Sequence, residues 1–321
     1  MKRNIYSYSK LWMISFVLMG AACTNQVEDA IPVSDQPIGF SVQSDWKEIP
    51  NTRLIDDNGT MKFTQGDVIQ IFGFHTSLSG EVKKFMYDGD YPTLGQKVKF
   101  DGTNWNYTPK RFWPKEGNLE FYASYPQNSI LNNADNPTMN YKVTDNSMKQ
   151  DLLWGVSNKY TCASAQDRKK NVEIKMVHAL AKVNIFLDES LGDHIGSVVV
   201  SAYKTGWFSE AKNGGIPEWH VDDKTDIIST TFYKWTDKDK DKIKNNSVTV
   251  FILPDKITRI QMFADSDPYP KIYDTDPSNK IQQYTFDAGK EYNLTISKSN
   301  GVRKKNTNSR SIAMSVRCVS E

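Results

Sequence analysis

Cysteine is scarce, with Cys23, Cys162 and Cys318 the three thiols in 321 residues. That is too few for a disulfide scaffold, so a hydrophobic core must carry the fold. An excess of one charge is also missing: 40 Lys and Arg stand against 38 Asp and Glu, for a net charge of +2 and a pI near 8.2. The two signs are interspersed, which excludes the basic face of a nucleic-acid binder. The run Arg303-Lys304-Lys305 is locally basic, and three charges in a tail read as solvated linker. Histidine is nearly as rare as cysteine. His75, His194 and His220 read as residues of separate loops without zinc-ligand spacing, and His178 lies in an apolar stretch, where a structural role is expected. Asp237, Asp239 and Asp241 imitate the start of a calcium loop, but Lys242 stands where glycine is needed and Val248 where the bidentate glutamate belongs. A GxSxG elbow and a phosphate-binding glycine loop are both missing. These gaps argue against an enzyme and imply no cofactor and no metal.

Long apolar runs are lacking too. Leu11–Ala22 is shorter than the roughly 20 residues that span a bilayer. Behind Lys2, Arg3 and Lys10 it reads as the core of an export signal over residues 1–22. The signal ends in Gly20-Ala21-Ala22-Cys23, which resembles the lipobox of bacterial lipoproteins although the commoner Leu is absent two places before Ala22. The resemblance implies cleavage before Cys23 and acylation of its thiol and amine. Several acyl chains hold a membrane far better than one. Residues 23–35 follow as a polar tether, with Glu28-Asp29 close behind the cysteine.

What is abundant is β-prone sequence. Aromatic residues make up 12 % of a chain whose mean hydropathy is only -0.58. Short runs such as Ile38–Val42, Val68–Phe74 and Leu119–Tyr125 are separated by Asn-Gly and Gly-Asp turn signals about every ten residues. No helical period lasts beyond two turns. The longest run, Val172–Leu187, alternates at first and is then nearly continuous, as a buried strand would be. The pattern predicts an all-β chain of two antiparallel sandwiches: residues 36–163, a linker at 164–171, and residues 172–299. Phe286 and Tyr292 flank a segment of hairpin length, Asp287–Lys290. Residues 300–321 form a tail, polar to Ser311, in which Ile312, Met314, Val316 and Cys318 then share one face. Trp207, Phe208, Trp219, Phe232, Tyr233 and Trp235 gather around the expected loops of the second half. They fill a core or form a platform for glycan.

Several stretches in order resemble the fimbrillin (major-fimbria-like) family of Bacteroidota lipoproteins. They are Thr52-Arg53, Phe63–Ile69 with Phe72, Phe112-Trp113-Pro114, Leu119–Pro126, Asp151–Trp154, His178–Val183, and Phe286 with Ala288–Tyr292. The resemblance implies two tandem transthyretin-like antiparallel β-sandwich domains and a structural or adhesive subunit of a type V pilus on the outer membrane. It further implies a cut between Arg53 and Leu54 that releases the strand carrying Ile38, Phe40 and Val42. The vacated groove would take a strand from another subunit, for which Ile312, Met314, Val316 and Cys318 are the donor candidates. Backbone hydrogen bonds supply the affinity of such strand addition, and alternate side chains supply its register. The alternative is a monomeric outer-membrane lipoprotein that binds glycan, or an unprocessed tip adhesin with a host or bacterial receptor.

Overall fold

A computed structural model describes residue 31 and residues 33–44, 63–127, 130–132, 141–143, 148–191, 195–208, 218–221, 227–234, 242–264, 271–274, 284–297 and 301–306. Its strands begin with β1 (Val33–Pro37), β2 (Phe40–Ser44), β3 (Val68–Thr76), β4 (Val82–Met86), β5 (Gln96–Phe100) and β6 (Trp105–Asn106). Next come β7 (Phe112–Pro114), β8 (Asn118–Tyr125), β9 (Ile130–Asn132), β10 (Tyr141–Val143), β11 (Leu153–Ser157) and β12 (Tyr160–Thr161). A short helix, α1 (Ala165–Arg168), precedes β13 (Val172–His178) and β14 (Ala181–Leu187). The second half holds β15 (Ile195–Tyr203), β16 (Gly206–Phe208), β17 (Trp219–Val221), β18 (Ile227–Tyr233) and β19 (Ser247–Ile252). It ends with β20 (Ile257–Ala264), β21 (Lys271–Asp274), β22 (Glu291–Ser297) and β23 (Gly301–Asn306).

The fold is the all-β, two-sandwich architecture expected. In the first half one large sheet runs β2-β13-β11-β8-β3-β5-β6, with β4 and β12 pairing outside that path. It curls until its two ends meet, bringing the Phe40 ring 5.7 Å from that of Tyr107, just past β6. The enclosed core holds Ile69, Ile71, Phe72, Phe121 and Ile174. Turn chemistry fixes the corners. Asp101 Oδ1 accepts from the N–H groups of Thr103 and Asn104 at 2.8 and 2.7 Å, and Gly102 between them has φ +102°. Those bonds hold the Asp101 carboxyl below its ordinary pKa. In the second half the sheets β19-β14-β22-β23 and β18-β15-β20-β21 enclose a separate core that includes Val183, Val200, Val250, Ile260 and Leu294.

The long run 172–187 is two strands, not one. β13 pairs with β11 in the first sheet and β14 with β19 in the second half. The even residues Val172, Ile174, Met176 and His178 are buried in β13, and the odd residues Ala181, Val183, Ile185 and Leu187 in β14. The phase slips at Ala179-Leu180, and that slip makes two half-buried strands look like one buried throughout. Along this run the change from one core to the other falls between Leu180 and Ala181, whereas polarity alone suggests a linker at 164–171. That segment carries α1, capped by Ser164, whose Oγ accepts from Asp167 N–H at 3.2 Å. Among the described strands two pairings are parallel, β2 with β13 and β14 with β22. Among the described residues, 284–286 form no strand beside β22, which pairs with β14 and β23 rather than in the hairpin expected around Asp287–Lys290. The polar start of the tail is itself the strand β23.

Candidate functional site

Residues 38–44, which end in the edge strand β2, behave as part of the core. Ile38 and Phe40 are 1 % and 4 % exposed, and Val42 packs partly buried against the same cluster. The Phe40 ring stands edge-on to Tyr107 and, at 5.4 Å, to Phe121. Full burial of two such side chains favours the seated strand by about 1.5–3 kcal/mol each. Its backbone is bound on both sides. Val172 N–H donates to Gly39 O at 2.8 Å, and β2 then runs parallel to β13 with Phe40 opposite Val172 and Val42 opposite Ile174. On the other side Ile38 N–H donates to Arg111 O at 2.9 Å, and the Tyr107 hydroxyl donates to Ile38 O at 2.8 Å. Burial raises the Tyr107 pKa, so the hydroxyl stays protonated and remains a donor. The segment closes the seam between the two ends of the curled sheet.

Two further features shape the seat. Gly39 lies against Asn171, and a Cβ on Gly39 would overlap Asn171 Oδ1. Upstream, β1 pairs antiparallel with β7, from Val33 opposite Pro114 to Pro37 opposite Phe112. Residues 33–44 are therefore held by two pairings. Downstream, the chain is fixed again at Phe63, whose ring meets Trp105 at 4.9 Å and Tyr125 at 5.8 Å. Thr64 N–H donates to Asp67 Oδ2 at 2.7 Å in the following turn. Residues 33–44 and the chain from Phe63 onward are thus anchored independently on either side of residues 45–62.

Of the residues singled out from the sequence, Ile38, Phe40 and Val42 come together in this seat. Cys23, Arg53, Leu54, Ile312, Met314, Val316 and Cys318 lie outside the described residues, as do Trp235, His194 and the three aspartates at 237–241. Tyr107, Arg111 and Asn171 complete the seat and went unnoticed in the sequence. The only signal was the short β-prone run around Trp105–Tyr107, since Arg111 and Asn171 sit in ordinary turn and loop sequence.

Most of the aromatic cluster is structural. Phe208 and Phe232 are buried, and Trp219 donates from its indole nitrogen to Ala179 O at 2.6 Å while packing 4.8 Å from Phe208. Trp207 instead stacks on the exposed His220, with ring centroids 4.1 Å apart and planes 18° apart. Tyr233 is 50 % exposed. His220 and His75 are strand residues rather than loop residues, and His75 Nε2 bonds Glu116 O at 2.9 Å. The buried His178 bonds Asp151 through Nδ1, while Asp151 Oδ1 caps Leu152 N–H at 2.8 Å. Among the described residues no group of three or more His, Cys, Asp and Glu could hold a metal ion, and no helix is long and apolar enough to cross a membrane.

The family of fimbrillin-like proteins matches residues 52–313 of the chain. That span is most of the sequence, and the protein belongs to this fimbrillin-like family. Solved structures with a similar trace include a provisionally named cell adhesion protein from Bacteroides uniformis. It is 18 % identical, with 85 % of this chain and 97 % of that one covered and a TM-score of 0.49. Others are the fimbrial anchor protein Mfa2 from Porphyromonas gingivalis (8 %, 88 % and 100 % covered, TM-score 0.38) and a fimbrial assembly protein from Parabacteroides distasonis (11 %, 87 % and 98 %, 0.36). A search of curated proteins finds no match.

Proposed function

We propose that the chain is a structural or adhesive subunit of a surface fimbria, delivered as an outer-membrane lipoprotein through Cys23 and assembled by exchange of its first strand. In this reading a cut between Arg53 and Leu54 frees Ile38, Phe40 and Val42, and a strand from another subunit enters the seat. The observation that carries it is the first segment itself: residues ending in an edge strand, with two side chains in the core, bonded on both sides, and joined to the body only through the stretch that contains Arg53. An open seat would expose apolar surface and unpaired backbone, an aggregation hazard that the leader prevents until assembly. The test is the N-terminus of the protein recovered from the cell surface, read by mass spectrometry before and after an Arg-specific protease. A mature start at Leu54, and loss of fibres in Arg53→Ala, are expected. Fibres assembled from the Arg53→Ala chain with an acylated Cys23 retained would overturn the mechanism.

One observation favours the second reading, an anchored glycan-binding lipoprotein. The Trp207–His220 stack leaves aromatic surface toward solvent on the short sheet β17-β16-β10-β9. Trp207→Ala should abolish binding on a glycan array if this face takes sugar. Equal signals from variant and parent, or none from either, would dismiss it.

A further inference from the structure

Cations and aromatic rings gather where two loops of the first half meet. One loop joins β4 to β5 and carries Tyr87 and Tyr91; the other joins β6 to β7 and carries Lys110 and Arg111. Lys84 Nζ, from β4, lies 5.8 Å from the centroid of the Tyr87 ring, and Arg111 Cζ lies 6.0 Å from the same centroid. Lys110 Nζ stands 4.8 Å from the centroid of the Tyr107 ring. At these distances the quadrupole of the ring attracts the cation. The patch borders the seat described above, since Arg111 O accepts from Ile38 N–H at 2.9 Å.

These charges are held on rings rather than neutralised by acids. Among the described residues neither Lys110 nor Arg111 forms an ion pair, and the buried Arg111 Nε has no hydrogen-bond partner. The acid beside Tyr87 is already engaged. Asp88 Oδ1 accepts from the N–H groups of Asp90 and Tyr91 at 3.0 and 3.3 Å, and its Oδ2 pairs with Lys97 at 3.8 Å. Leu94 N–H donates to Tyr91 O at 2.8 Å, Lys84 Nζ to Pro92 O at 3.0 Å, and Asn132 N–H to Thr93 O at 2.9 Å. The loop backbone is thus fixed at successive residues, and Tyr91 stands on it 62 % exposed. A tyrosine presented in this way offers a flat apolar face with little conformational freedom to lose on contact.

We propose that this patch binds an acidic polysaccharide, with a uronic-acid ring laid on Tyr91 and carboxylates met by Lys110 and Arg111. The site shares no residue with the Trp207–His220 stack, and it requires no strand exchange. Each part of the ligand has its counterpart. The C–H face of a sugar ring packs on an exposed aromatic face. Its carboxylate takes charge-assisted hydrogen bonds from an ammonium or a guanidinium. A polymer repeats that carboxylate along its length, so cations from both loops are used by one molecule. An acidic peptide fits less well, because a bound strand needs an open backbone edge and the loop at 88–94 bonds its own backbone groups within the chain.

The test is isothermal titration calorimetry of the full chain with an oligogalacturonide and with its fully methyl-esterified counterpart, which keeps the rings and loses the charge. The acid should bind about tenfold more tightly than the ester at low salt, and the gap should close as salt is added. Lys110→Gln and Arg111→Gln should each weaken binding of the acid about tenfold and leave the ester unchanged. Tyr91→Ala should weaken both probes about tenfold. Lys110 and Tyr91 are exposed, so their variants read the site even if Arg111→Gln disturbs the seat. Lys99→Gln, an exposed cation on β5, should change nothing. Equal affinity for acid and ester, or an equal loss in Lys99→Gln, would overturn the proposal. Polyglutamate that binds as tightly as the oligogalacturonide, with neither affected by Tyr91→Ala, would make the patch a dock for acidic protein segments and overturn it too. No binding of either saccharide would dismiss the site.

Discussion

A buried acid keeps its proton where an exposed one would release it. Tyr292 is 2 % exposed, and its hydroxyl donates to Asp287 Oδ2 and accepts from Asp287 N–H, each at 2.9 Å. Burial pushes its pKa up to about 12, and burial does the same to the free thiol of Cys162 in the first core. Both groups hold protons more tightly folded than unfolded. Their stabilisation is complete below the unfolded values, near pH 9 for the thiol and 10 for the phenol, and fades as pH climbs toward 12. Tm should therefore fall as pH rises through this window, and Tyr292→Phe should flatten the fall. An unchanged slope in Tyr292→Phe, measured by thermal melts across that range, would show that the group is not responsible. Lys182 presents the opposite charge. It is 4 % exposed and paired with Glu291 at 2.9 Å, and Asn184 Nδ2 donates to the same carboxylate oxygen at 2.7 Å. Glu291→Ala should cost near the lower end of the 3–5 kcal/mol range, about 3 kcal/mol, since Glu291 is itself 27 % exposed. Lys182→Met with Glu291→Leu should cost much less. Urea midpoints separate the two, and equal losses would mean that packing, not the stranded charge, sets the penalty.

At the scale of the element, the strand that pairs with β2 is supported by a glycine. A Cβ on Gly155 in β11 would come within 2.7 Å of Ile174 Cγ2 and 2.8 Å of Lys175 O in β13. The second of those atoms is backbone and cannot rotate away. Gly155→Ala should destabilise the chain by about 1–3 kcal/mol by forcing the two strands apart. A urea midpoint unmoved by Gly155→Ala would show that the pair has slack. Strands of this kind were legible in the sequence because side-chain alternation is a local property. β3 and β8 could be read from their runs and turns alone. Partnership was not legible. The parallel pairings of β2 and β14 join residues more than a hundred positions apart, and nothing in Phe40–Ser44 names Val172–Met176 as its neighbour. The break at Ala179-Leu180 was hidden for a related reason: the phase slip kept hydrophobicity continuous while the chain changed sheets. In the candidate site, the inward-facing Ile38, Phe40 and Val42 were readable from period two. Tyr107, Arg111 and Asn171 were not, because their roles come from the curl that brings the sheet's ends together.

At the scale of the molecule, the two cores are interlocked rather than merely adjacent. Tyr203, Phe208, Phe251 and Leu253 come from the second half yet pack in the first core, and Met148 from the first half packs in the second. The short sheet crosses the same divide, since β10 pairs with β16. At its centre Phe208 is fully buried, 5.0 Å from Trp154 and 4.8 Å from Trp219. Such sharing makes the unfolding of one half expose apolar surface of the other, which couples the two transitions. The intact chain should therefore melt in one calorimetric transition. Phe208→Ala removes a ring both halves use and should cost about 3–5 kcal/mol. It should also resolve the melt into two transitions, because the penalty falls on the contact between halves more than on either core. A single transition in Phe208→Ala, with unchanged agreement between calorimetric and van't Hoff enthalpies, would place the coupling elsewhere, with the Trp219–Ala179 hydrogen bond the next contact to remove.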